Sequence, residues 1–153
     1  MKSNLNIFLD IDGVLNNHSA HVESVSLVSD KIQLLNFILF KYLPNIIISS
    51  SWLLEYDKET IKIILERSGL RYSDIFYDAI DYRDGELSKE EAIENYIKSH
   101  LDEYNIFRYV IIDDEFPSSN ELKTNLIYVD NKAGLTYKNI YYLEKKLIKL
   151  EQI

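Results

Sequence analysis

"NIFLDIDGVLNN", residues 6–17, opens with a short run, Asn6-Ile7-Phe8-Leu9, that lacks the apolar/polar alternation of a half-solvated strand. Such a run predicts a strand covered on both faces. Two carboxylates, Asp10 and Asp12, follow it at once, and the chain then turns through Gly13. Four later segments repeat the pattern: Asn45 to Ile48 (NIII), Ile75 to Ile80 (IFYDAI), Arg108 to Ile112 (RYVII) and Asn125 to Val129 (NLIYV). Each is short and bounded by polar residues.

Between these runs the apolar period changes to that of a helix. Ser29 is placed to cap a helix over 30–42 with Ile32, Leu35, Leu39 and Leu43 inward and Pro44 as a stop. Asp57 is placed to cap a second, with Ile61, Ile64 and Leu65 on one face and Gly69 beyond its end. Ser88 and Glu91 have capping-box spacing and open a third, with Ala92, Ile93, Tyr96, Ile97 and Leu101 inward. A last helix follows Thr136 with Ile140, Leu143, Leu147 and Leu150 inward. Strands alternating with helices predict an α/β fold: a doubly wound, Rossmann-like parallel sheet of about five strands, helices on both faces.

In such a sheet, ligands bind beyond the carboxyl ends of the strands. Asp10 and Asp12 follow the first strand, Ser49, Ser50 and Ser51 the second, and Asp113, Asp114 and Glu115 the fourth. A parallel sheet makes these sets converge, and Lys89 at the start of the third helix can reach the same rim. Phosphoryl transfer through an aspartate uses such a set. Acids from two strands hold a magnesium ion, Mg2+, through oxygen ligands, and one free carboxylate attacks phosphorus. A hydroxyl and an ammonium steady the phosphate oxygens as charge builds. Asp10 is the candidate nucleophile and Asp12 the candidate acid/base.

These motifs resemble those of the haloacid dehalogenase (HAD)-like phosphohydrolases. "DIDGVL" at Asp10 to Leu15 matches the first motif, in which the first Asp is nucleophile and the second acid/base. "IIISSSW" at Ile46 to Trp52 is similar to the second, with Ser49 in the phosphate-binding place and Ser50 as the alternate. Lys89 occupies the third, with Arg83 as substitute. "VIIDDE" at Val110 to Glu115 resembles the fourth, which assigns Asp113 and Asp114 to the metal with Asp10 and the Asp12 main-chain carbonyl. With "AGLT" at Ala133 to Thr136, the set also resembles a branch of small domains found alone or fused in RNA-repair proteins. In that branch an Arg is expected after Trp52, where this chain has Leu53.

Competing readings are weaker. Asp-Gly is a common turn pair, but the other motifs lie at compatible distances. An acidic pair also occurs in response-regulator receiver domains, where it follows the first strand; here it follows the fourth. Glu115 reads as a solvated helix-start acid and Trp52 as a packing residue beside the site. His18, His21 and His100 lack ligand spacing, although His18 and His21 lie near the first motif. Lys145, Lys146 and Lys149 read as the solvated face of the last helix.

Asn16 to Val28 has room only for a hairpin flap, and Leu53 to Ser88 is filled by a helix and a strand. No large cap is expected, so the site should be open to a phosphate on a bulky partner. The chain's 153 residues, 46% hydrophobic, suit a single domain over 1–153. Without cysteine there is neither disulfide framework nor thiolate metal site. No apolar run reaches membrane-spanning length and Met1 to Asn4 does not resemble a signal peptide. A cytoplasmic protein is therefore expected. The net charge of −8 disfavours a broad nonspecific grip on nucleic acid backbones. The expected activity is a Mg2+-dependent phosphomonoesterase acting on a phosphorylated substrate, a nucleic acid end or nucleotide by the resemblance. The alternatives are a catalytically weak binding or regulatory module and a small-molecule nucleotidase. The oligomeric state is not legible.

Overall fold

The computed structural model describes residues 3–16, 27–71 and 75–152. The apolar runs form strands β1 (Asn6–Leu9), β2 (Asn45–Ile48), β3 (Tyr77–Ala79), β4 (Tyr109–Asp113) and β5 (Leu126–Tyr128). All pair in parallel, in the spatial order β3-β2-β1-β4-β5. The order reverses between β1 and β4. That reversal splays the connections apart and opens a crevice at the carboxyl ends of the two strands.

The period of two sorts the strand residues. Ile7, Leu9, Ile46, Ile48, Val110 and Ile112 face one layer, built by α1 (Ser29–Tyr42), α2 (Lys58–Arg67) and α5 (Tyr137–Glu151). Phe8, Ile47, Tyr109 and Ile111 face the other, built by α3 (Lys89–Ser99) and α4 (Asn120–Thr124). Helices thus cover both faces of the sheet, as the unbroken apolar runs require. No large cap stands over the strand ends among the described residues. No helix there is long and apolar enough to cross a membrane.

Several local expectations need correction. Ser29 is the first helical residue; Val28 is the N-cap and makes no side-chain capping bond. Leu43 does not join the inward face of α1. It sits in the left-handed region at φ 47, closes the helix by donating to the Leu39 carbonyl, and is half exposed. Leu101 lies beyond the end of α3 and is exposed. A 3₁₀ turn (Ser51–Leu54) and the short α4 are additions to the predicted elements. The caps at Asp57, Ser88 and Thr136 form as the spacing requires. The hairpin flap falls largely outside the described residues, as do His18 and His21.

Candidate active site

Register builds the site. Leu9 is paired with Ile48 on one side and Ile112 on the other, so the next residues, Asp10, Ser49 and Asp113, stand abreast on three neighbouring strands. Backbone bonds hold them there: Asp10 N donates to Ile112 O at 3.1 Å and Ser49 N to Leu9 O at 2.9 Å. Two residues after Phe8, Ile47 and Ile111 respectively, all three belong to the face covered by α3. The Ser88–Glu91 capping box fixes where α3 begins, and its first residue, Lys89, aims its ammonium at this row. Lys89 Nζ lies 3.0 Å from Asp113 Oδ2 and 3.4 Å from Asp10 Oδ1.

Asp10, Asp113 and Asp114 each present a carboxylate oxygen within 4.8 Å of the others. Two of these acids, Asp10 and Asp113, are buried, and among the described residues one ammonium, that of Lys89, faces them. Burial, and next the charge of Asp113, pushes Asp10 up to about 9 despite the opposing pull of Lys89. Burial also raises Asp113, again against Lys89. Burial alone would lower Lys89, but the charges of Asp10 and Asp113 outweigh it and hold the ammonium above its ordinary range.

Asp12 is held differently. Its carboxylate accepts from Trp52 Nε1 at 3.0 Å and from Asn16 Nδ2 at 3.0 Å, while Asn16 Oδ1 accepts from Gly13 N at 2.7 Å. Gly13 makes the turn at φ 81, and a Cβ there would overlap the Asp114 carboxylate. No other residue fits both the backbone and the close approach. The AGLT segment braces the same loop from outside: Leu135 N donates to Val14 O at 2.8 Å. A Cβ on Gly134 would come within 2.8 Å of Asn16 O.

The two candidate serines are differently engaged. Ser50 Oγ caps the 3₁₀ turn by accepting from Trp52 N at 3.2 Å. Ser49 Oγ is fully buried and has no hydrogen-bond partner. An orphan hydroxyl in a buried row costs about 1–3 kcal/mol unless a ligand satisfies it. Tyr82 anchors the strand end by donating to Ser49 O at 2.9 Å.

Arg83, the substitute for Lys89, is exposed in the turn before α3. Glu115 is exposed and outside the carboxylate cluster; it is not a helix-start acid, since α4 begins at Asn120. Leu53 packs half-buried against both core layers. Trp52 is 7% exposed, as a packing residue would be, yet it is also a hydrogen-bond donor to Asp12. That second role, and those of Asn16 and Tyr82, went unread in the sequence, since each depends on a partner fixed only by the folded chain. His100 stacks on Tyr96 at the far end of α3.

The donor set fits a hard divalent cation. It consists of oxygens only, and it leaves buried carboxylates short of positive charge. Residues 6–140 match the family described as the HAD domain in Swiss Army Knife RNA repair proteins. The chain belongs to that family. The matched span of this HAD domain runs from the first residue of β1 into α5 and takes in every strand and every site residue named above. No curated protein and no solved structure matches the chain.

Proposed function

We propose that the protein is a Mg2+-dependent phosphomonoesterase working through an aspartyl-phosphate on Asp10, with a nucleic acid end or nucleotide as substrate. The observation that carries this reading is the row Asp10, Ser49, Asp113, faced by the Lys89 ammonium, with the Ser49 hydroxyl buried in it without a hydrogen-bond partner. The family's RNA-repair description favours a nucleic acid end over a small metabolite. In this reading residues 1–153 act as one phosphatase domain, and a cytoplasmic setting suits a chain without cysteine.

Asp10, Asp113, Asp114 and the Asp12 main-chain carbonyl would hold the cation. Once bound, it would neutralise the carboxylates and the incoming phosphate. Lys89 pairs with a phosphate oxygen, and Ser49 Oγ donates to another; Ser50 Oγ, which accepts from Trp52 N, still has its own O–H to offer as a second donor. Asp10 attacks phosphorus as the ester oxygen leaves, and Asp12 gives that oxygen its proton. Asp12 then takes a proton from the water that attacks the phosphoryl group, which frees inorganic phosphate and restores Asp10. Trp52 and Asn16 hold the Asp12 carboxyl in place for both transfers.

The test is phosphate release from a 3'-phosphorylated oligonucleotide and an aryl phosphate, with magnesium or EDTA. Turnover that needs magnesium and vanishes in Asp10→Asn is expected. A folded, metal-binding protein with no turnover on either compound would favour the binding-module alternative, and a strong preference for free mononucleotides would favour the nucleotidase.

A further inference from the structure

Beyond the acids, the chain after β4 carries Phe116 onto the surface. This ring is 65% exposed although Tyr128, at the end of β5, stacks on it with centroids 4.4 Å apart and ring planes 18° from parallel. Tyr128 is itself 45% exposed. A stacked pair of this size left in water contributes little to the core, yet its position is fixed. Glu90 of α3 accepts from Ser118 N, Ser118 Oγ and Ser119 N at 3.1, 2.7 and 2.8 Å, and Ser119 caps α4. The loop bearing Phe116 is therefore tied to the same helix that carries Lys89.

A cavity of about 220 Å³ lies between them. Its walls include Lys89 and Asp113 from the phosphate cradle and Phe116, Pro117 and Ile93 from the shelf. Tyr128 stacks on one face of the Phe116 ring and is not among the residues that line the cavity. The remaining charge on the lining is acidic: Glu90, already engaged by the two serines, and Glu115. A second phosphate would be repelled there. A flat, uncharged ring would gain a stacking surface, and Glu115 could accept from its amino groups or from a sugar hydroxyl.

We infer that Phe116, backed by Tyr128, stacks the base of the nucleotide that bears the scissile phosphate. This assigns a base-binding subsite and rests on the phosphatase reading above. It also reconciles an acidic protein with a nucleic acid substrate. Recognition falls on one terminal nucleoside and its phosphate, not on a run of backbone phosphates.

The test uses full-length Asp10→Asn protein with magnesium and measures Kd for two 3'-phosphorylated oligonucleotides, one with its terminal base and one abasic at that position. Stacking on an aromatic residue predicts about tenfold tighter binding of the base-bearing ligand, near the low end for one stacked base. Adding Phe116→Leu should abolish that ratio and leave the abasic Kd unchanged, whereas Phe116→Trp should keep it. An unchanged ratio in Phe116→Leu overturns the inference. So does a phosphotyrosine peptide that depends on Phe116 when the oligonucleotide does not. Phosphate release from the abasic oligonucleotide by the wild-type protein reports separately on the phosphatase reading. No binding of either ligand overturns the base subsite, and with no phosphate release by the wild type it overturns both readings.

Discussion

Replacing Lys89 by Met should destabilise the metal-free protein, and bound magnesium should recover most of the loss. Of the two carboxylates that face the ammonium, Asp113 is the nearer, at 3.0 Å against 3.4 Å for Asp10. At 3.0 Å the gross attraction is roughly 5 kcal/mol for an effective dielectric of 20. Freeing the ammonium from partial burial offsets some of this, whereas stranding a buried Asp113 adds to it. Removing one partner of a buried pair costs about 3–5 kcal/mol, and we take the lower end because Asp113 can protonate instead. At roughly 2–4 °C per kcal/mol for a chain of this size, Tm should fall by about 6–12 °C. Lys89 is raised, so its contribution is fully present below its unfolded pKa and is lost only as pH rises through the higher folded one. A thermal melt at pH 8 in EDTA therefore reads the whole effect. Repeating the substitution in an Asp113→Asn background should remove most of it, and adding magnesium should narrow the gap by supplying another cation. A melt at or above the wild-type temperature in EDTA, or an equal loss in the Asp113→Asn background, would refute the reasoning.

Ser49→Ala removes a hydroxyl that bonds nothing in the protein, so stability should hold or rise by up to about 1 kcal/mol while kcat/KM drops on the order of tenfold or more. Urea unfolding alongside kinetics checks both, and a marked destabilisation would mean the hydroxyl has a structural partner. Trp52→Phe keeps the packing but removes the donor to Asp12; kcat should fall on the order of tenfold with KM nearly unchanged. A change confined to KM would place Trp52 in substrate binding instead. For Asp10, the raised folded pKa means that its contribution to metal-free stability is greatest below 3.8 and is lost as pH climbs toward about 9. Asp10→Asn lacks that slope, so its advantage over the wild type in EDTA should grow between pH 5 and pH 9. Parallel stability curves over that range would contradict the assigned burial effect.

The strands were legible because residues covered on both faces have to be apolar throughout, which leaves short runs that end where the polar site begins. Lys89 was legible through Ser88 and Glu91, whose local bonds fix a helix start without help from the rest of the chain. Ser29 misled because a serine at a helix start need not cap it: here the helix begins at Ser29 itself, and the cap position falls one residue earlier, on Val28. Leu43 and Leu101 continue an apolar period past the point where the chain has turned away, which periodicity alone does not register. Trp52 was legible as a buried ring but not as the donor to Asp12, a residue 40 positions away in the chain. The shelf at Phe116 left no pattern, since its partner Tyr128 lies on another strand and its support comes from Glu90 on a helix.

The strand order has a consequence for synthesis. β1 (Asn6–Leu9), which leads straight into Asp10, is made before every other strand of the sheet, yet it lies in the middle of it. After β2 and α3 have emerged, one side of β1 still has no neighbour until β4 arrives, starting at Tyr109. For that interval the nascent protein presents an apolar edge, Ile7 to Leu9, open to pairing with another chain. A nascent chain that has emerged as far as residue 105 would hold such an edge, and one that has emerged beyond β5 would not. Chaperone crosslinking to Ile7 or Leu9 should therefore be strong on the shorter nascent chain and fade once Asp113 has emerged and folded beside Asp10.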